Sequence, residues 1–256
     1  MYGLGHSEIV LGKVFKNKRD IVIATKVGLR WNNKGKLRHD LSSEYIREAC
    51  QKSLSRLQRE RIELYQIHWP DPMGDLEESA MEMESLVERG LVASWGASNL
   101  SIDQLKKMKI FPNFISYQGR LNLFDLNAME ELLPWCSSNS VGFIAYEPLF
   151  KGLLTGKFDK RPTFPKGDHR RHKERFKEEF FFYSKKIEKL KEIAKDIDIS
   201  LTELSLSLLL EEPGVTTVIP GAKDSKQVRD NIKAASIDIQ ALKQIKKDVK
   251  TVLDER

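Results

Sequence analysis

Glu63-Leu64-Tyr65-Gln66-Ile67-His68-Trp69 reads as a short strand, largely apolar on both faces, and the residues C-terminal to it set the architecture. Ala80, Met83 and Val87 recur at helical spacing and lead to a second strand-like run, Val92-Ala93-Ser94-Trp95-Gly96-Ala97. A strand that is apolar on both faces must be covered on both, and helical crossovers between parallel strands supply that cover. Working outward, runs of the same kind occupy residues 21–25, 114–117, 141–146 and 215–219. Ile46, Ala49, Cys50, Leu54 and Leu57 form a helical stripe behind Ser42 or Ser43, and Ile187, Leu190, Ile193, Ala194 and Ile197 form another. Residues 101–104 and 200–203 fit the capping-box pattern that opens a helix. Six successive βα units predict a parallel α/β fold. The pattern leaves a barrel and a doubly wound sheet both open, and six strands are two fewer than an eight-stranded barrel needs.

The chain has 256 residues, 40% of them hydrophobic, which suits a single domain over 1–256. No run of ~18 consecutive apolar residues is present, so no membrane-spanning helix is expected. The first residues lack the basic and apolar regions of a secretory signal. Cys50 and Cys136 fall in helix-like segments without metal-ligand spacing, which predicts buried thiols, no metal and a reducing, cytoplasmic setting. The net charge of +6 is concentrated in one place: residues 160–177 carry eight Lys or Arg against two Asp or Glu. That local excess, within an insertion spanning 159–182, argues against nucleic acid as a partner. Within it, His169-Arg170-Arg171-His172 reads as a solvated surface; the sharper reading is a lid over an anionic ligand.

Parallel barrels place their active sites at the C-terminal ends of their strands. Lys26, His68, Ser98-Asn99, Gln118, Tyr146-Glu147-Pro148 and Pro220-Gly221-Ala222-Lys223 stand at those ends here. A lysine closing an apolar strand is costly to bury unless it is paired or gives up its charge. The plain alternative is an amine that reaches water along the barrel wall. A lone histidine at a strand end is more often structural than catalytic.

These motifs together resemble the aldo-keto reductase family. The resemblance is carried by Tyr2-Gly3-Leu4-Gly5-His6-Ser7-Glu8 with Leu11-Gly12, by Ile23-Ala24-Thr25-Lys26, by Leu64 to Asp71, by Trp95-Gly96-Ala97-Ser98-Asn99, by Tyr146-Glu147-Pro148-Leu149 with Gly152 to Lys157, and by Ile219 to Lys223 with Gln227 and Asn231, in the family's order. It implies a (β/α)8 barrel and reduction of a small-molecule aldehyde or ketone by NADP(H). Tyr2 is then the general acid, Lys26 the cation that lowers the Tyr2 pKa, and His68 the group that orients the carbonyl. Ser98, Asn99 and Gln118 hold the carboxamide, and Tyr146 stacks on the nicotinamide. Gly152, Leu154, Gly156 and Lys157 wrap the pyrophosphate, and Pro148 and Leu149 of the same motif are cofactor-binding. Lys223 meets the adenosine 2′-phosphate within the cofactor-binding run Pro220, Gly221, Ala222 and Lys223, while Gln227 and Asn231 face the adenine.

The sequence departs from the family at its start. The family aspartate inside D-T-A-x-x-Y-G, the N-terminal hairpin and the first two strands have no counterpart before Met1, which is itself consistent with an internal methionine. Such a chain is expected to turn over slowly or not at all. A nicotinamide-binding regulatory subunit of the same fold and an inactive remnant therefore stay open beside the reductase. The carbonyl substrate and the oligomeric state are not readable.

Overall fold

The computed structural model describes residues 2–31 and 36–255, with Tyr2 by its backbone alone. Two compact units divide the chain: Met1–Gly119 with Trp135–Gly142, and Arg120–Pro134 with Phe143–Arg256.

The first unit opens with a 3-10 turn and α1 (His6–Phe15), followed by β1 (Ala24–Val27). A small antiparallel hairpin comes next, β2 (Leu29–Trp31) with β3 (Leu37–His39), and then α2 (Ser43–Leu57). The chain continues through β4 (Ile62–Ile67), α3 (Leu76–Glu88), β5 (Val92–Ser98), α4 (Ile102–Met108), β6 (Phe114–Arg120) and α5 (Leu132–Ser138). The strands β1, β4, β5 and β6 pair in that order, all parallel. Ser42 caps α2, and Ser101 with Gln104 forms a complete capping box on α4. Ile46, Cys50 and Leu57 of α2 pack in the same core as Tyr65, Ile67 and Trp95, all fully buried. Gly96 lets two strands close up, since a Cβ there would overlap the Oγ and carbonyl of Ser116.

The first strand begins three residues later than the apolar run suggests. Arg59 Nη1 donates to the Ile21 carbonyl at 3.1 Å, and Glu63 accepts the Ile23 N–H at 3.1 Å. Side chains thus take the Ile21 carbonyl and the Ile23 N–H, while the Ile23 carbonyl still accepts from the Leu64 N–H at 3.3 Å. The hairpin escapes the sequence reading because its strands are three residues long and carry no alternating pattern.

In the second unit β7 (Gly142–Tyr146) pairs parallel with β8 (Val215–Val218). α6 (Phe180–Asp196), α7 (Leu201–Leu210), α8 (Ser225–Lys233) and α9 (Ile239–Asp254) complete it. Ser200 and Glu203 form the expected capping box on α7. Its core draws Leu154, Phe180, Leu190, Leu204, Leu242 and Val249 together. The inserted segment forms two 3-10 turns, His169–His172 and Glu174–Phe176, and Phe176 and Phe180 anchor it in that core.

No helix among the described residues is long and apolar enough to cross a membrane, and no group of metal-ligating side chains occurs among them. Cys50 and Cys136 are free and buried; burial pushes both thiols up to about 12, so they stay protonated.

Candidate active site

Parallel pairing aligns side chains into rows. Lys26 registers with Gln66, Gln66 with Gly96, and Gly96 with Ser116. Ser98 registers with Gln118 one row nearer the C-terminal ends, and the His68 N–H donates to the Val27 carbonyl at 2.9 Å. Adjacent parallel strands therefore bring Lys26 and His68 to one rim. Their electrostatics agree with that placement. Burial lowers the Lys26 pKa to about 8. The His68 pKa falls to about 4, first through burial and then through the charge on Lys26. An imidazole so shifted is neutral above mildly acid pH and able to donate one N–H.

Ser98 and Gln118 are buried beside this pair. Ser98 Oγ donates to the Gln118 carbonyl at 2.8 Å, and Asn99 Nδ2 donates to the His68 carbonyl at 2.9 Å and to Ser98 Oγ at 3.0 Å. Asn99 adopts φ 61°, a left-handed conformation that asparagine tolerates and functional sites often keep. The serine, asparagine and glutamine expected from the sequence thus form one hydrogen-bonded group.

The side chain of Tyr2, with Met1, lies outside the described residues. The backbone after Tyr2 turns through three left-handed positions, Gly3 (φ 58°), Leu4 (φ 52°) and Gly5 (φ 97°). Glu8, in the first turn of α1, fixes this segment. It accepts from Thr25 Oγ1 at 2.6 Å and from Arg56 Nε at 2.5 Å, tying the helix to the lysine strand and to α2. The sequence places Glu8 in a motif without a role; only the fold brings its partners to it.

A cavity of about 1100 Å³ opens beside this unit's first strand, lined by Lys26, Trp31, Tyr45, Arg30, Glu8 and Arg56 among others. It reaches Lys26 but not His68, Ser98, Asn99 or Gln118. Trp31 lines this cavity, and residues 32–35 of its loop lie outside the described residues.

In the second unit, Tyr146 ends β7, and the loop after it is strained. Glu147 (φ 53°), Phe150 (φ 48°) and Lys151 (φ 58°) are left-handed without being glycine. Gly152 (φ 98°) and Gly156 (φ 66°) complete the turn, closed by Gly152 N–H to the Leu149 carbonyl at 2.8 Å. Pro148, Leu149 and Leu154 are buried beneath it. Lys157 comes next, and its pKa is lowered by burial and then by the charges of Lys223 and Arg170. These three cations, distant in sequence, therefore converge. Arg170 is held by Asp168 at 2.6 Å and lies over the Phe164 ring at 4.3 Å. The sequence favours a solvated surface there; the Asp168-x-Arg170 spacing is the available signal.

Pro220, Gly221, Ala222 and Lys223 form an exposed or half-exposed segment before α8. Asp224 caps that helix, and Gln227 Oε1 accepts the Lys223 N–H at 3.0 Å, so Gln227 shapes the loop. Asn231 lies half-buried one turn further on.

Comparison with known proteins fits this arrangement. The sequence profile of the Aldo/keto reductase family matches residues 1–249. Aldo-keto reductase YhdN of Bacillus subtilis is 34% identical over 99% of this chain and 77% of its own length. The NADH-specific methylglyoxal reductase of Escherichia coli is 27% identical over 93% of this chain and 77% of its own. A solved glycerol dehydrogenase of Gluconobacter oxydans superposes with a TM-score of 0.89 at 31% identity, covering 98% of this chain and 78% of that one. The fold is thus the α/β barrel type of these proteins. With its strand-end residues in the family's order and nearly its whole length matched, the chain belongs to the aldo/keto reductase family.

Proposed function

We propose that the chain reduces aldehydes or ketones to alcohols at the Lys26 and His68 rim, using NADPH. The observation that carries the reading is the electrostatic coupling of a buried ammonium to a neutral imidazole at the ends of neighbouring strands. A free tyrosine holds its proton up to pH ~10, so it shuttles protons poorly near neutrality unless a cation stands by. Lys26 is that cation for Tyr2. His68 donates a hydrogen bond to the carbonyl oxygen and holds it in place as negative charge grows there. Tyr2 Oη delivers the proton that completes the alcohol. Ser98, Asn99 and Gln118 offer the polar group that orients a carboxamide.

The residues present suit a nicotinamide dinucleotide that carries a 2′-phosphate. Lys157 feels the like charges of Lys223 and Arg170, although Arg170 is paired with Asp168, and a phosphate would supply a counter-charge to Lys157 and Lys223. The bends at Gly152 and Gly156 allow the close backbone approach that a pyrophosphate requires. Such a cofactor, when bound, supplies the hydride. Because one relative is NADH-specific, the phosphate preference rests on these cations.

The test is NADPH consumption with an aromatic aldehyde, by the purified protein and by Lys26→Met. Loss of the cation is expected to lower kcat by roughly 10²–10⁴-fold while NADPH still binds, as fluorescence titration would read. A protein that binds no NADPH and forms no alcohol would end the proposal.

A further inference from the structure

Glu8 joins three elements of the first unit: the start of α1, the lysine strand and α2. Its Oε1 accepts from Thr25 Oγ1 of β1 at 2.6 Å, and its Oε2 accepts from Arg56 Nε of α2 at 2.5 Å. The Glu8 side chain is only 12% exposed. Successive residues of a strand face opposite sides, so Thr25 meets the helices while Lys26, next in the chain, turns to the other face. On its other side, Glu8 follows closely on the turn that begins at Tyr2.

That turn is strained. Gly3, Leu4 and Gly5 are all left-handed, and Leu4 lacks the freedom of glycine. Such backbone persists where its surroundings over-determine it. A Cβ on Gly5 would come within 2.9 Å of Arg56 Cδ, so the turn lies against the stem of the arginine that Glu8 holds. Further along α1, a Cβ on Gly12 would fall 2.4 Å from the Arg56 carbonyl. Close backbone contact therefore docks α1 on α2, and the Thr25 bond adds a tie from α1 to the lysine strand.

We propose that Glu8 is a positioning residue for proton transfer, holding the turn that carries Tyr2 at the strand that carries Lys26. The inference rests on the reading of Tyr2 as the acid and Lys26 as its cation. An ammonium acts on a phenol only at short range, and a displacement of about 1 Å costs on the order of a hundredfold in rate. The two bonds of Glu8 go to a hydroxyl and a guanidinium outside the reacting groups, so its effect is on placement. A brace for the fold alone is the plainer role, and it predicts lower thermal stability with kcat of the folded protein unchanged.

Thr25 separates the two roles. Thr25→Val keeps the shape of the side chain, suits a strand and removes the hydroxyl, whereas Thr25→Ser keeps the hydroxyl. The experiment measures kcat and KM for an aromatic aldehyde, NADPH affinity by fluorescence titration, and amide exchange of residues 3–8. It compares the wild type, Thr25→Val, Thr25→Ser, Glu8→Ala and the double variant of Glu8→Ala with Thr25→Val. Thr25→Val is expected to lower kcat roughly ten- to a hundredfold, with a smaller change in KM and NADPH bound as before. Thr25→Ser should stay within about threefold of the wild type. The double variant should lose far less than the product of the single losses, because both break one link. Amides of residues 3–8 should exchange faster in Thr25→Val while the sheet stays protected. An active wild type whose kcat Thr25→Val leaves unmoved overturns the inference. So do a Thr25→Ser that falls as far as Thr25→Val, single losses that multiply, and a turn that exchanges no faster. If the wild type reduces no aldehyde at all, the reductase reading itself fails, and the positioning role falls with it.

Discussion

Lys26 and His68 each hold a charge state that burial, more than any neighbour, decides. Each gives the protein its own pH dependence. An ammonium with a pKa of about 8 is lost above that pH, and with it the positive charge that the proposed mechanism asks of Lys26. Reductase kcat/KM is therefore expected to be level through neutrality and to fall about tenfold per pH unit above roughly 8, a break absent in Lys26→Met. The second dependence concerns stability. His68 titrates at about 4 in the fold against 6.5 unfolded, so between those values the unfolded chain binds the extra proton. Stability then rises with pH across that window, and the penalty appears as pH falls through it. Allowing for solvent around a part-exposed ring, it amounts to about 2 kcal/mol. Urea titrations from pH 6.5 to 4 should find His68→Gln losing less stability than the wild type, and parallel curves would refute the assignment.

At the scale of elements, Arg59 decides where the first strand starts. Its side chain is fully buried, pairs with Glu63 at 2.8 Å, and donates from Nη2 to the carbonyls of Phe15 (2.8 Å) and Lys18 (2.5 Å). Removing it takes the paired cation from Glu63 and one donor from each of three carbonyls, because the Ile21 carbonyl is also its acceptor; Phe15 and Lys18 keep only the backbone donors Lys18 N–H and Ile21 N–H. Arg59→Met should cost about 3–5 kcal/mol. It should also abolish amide protection around residues 16–23 before the sheet is affected. Unchanged exchange there would show that the loop is held by something else. The helices were legible because capping boxes and apolar stripes are local codes, as at Ser101 and Ser200. The late start of β1 and the small hairpin were not, because buried side chains distant in sequence govern the one and three-residue strands carry no period.

For the molecule as a whole, the net charge of +6 matters less than where it gathers. On the proposed reading of Lys157, Arg170 and Lys223 as the cations that meet a 2′-phosphate, NADPH should bind more tightly than NADH, and its Kd should rise more steeply with salt. Lys223→Ala should weaken NADPH about tenfold and NADH little, by titration at low ionic strength. Equal affinities in the wild type would remove the phosphate assignment. The amino-acid sequence by itself determined the parallel α/β class, the six main strands and the ends at which polar residues stand. Those come from local periodicity, and motif order added the family. Only the tertiary structure decided which of those residues act as groups. The shifts at Lys26 and His68, the anchoring of Glu8 and the meeting of Arg170 with Lys157 and Lys223 all depend on desolvation and Coulomb forces. Both act between atoms close in space, whatever their separation along the chain.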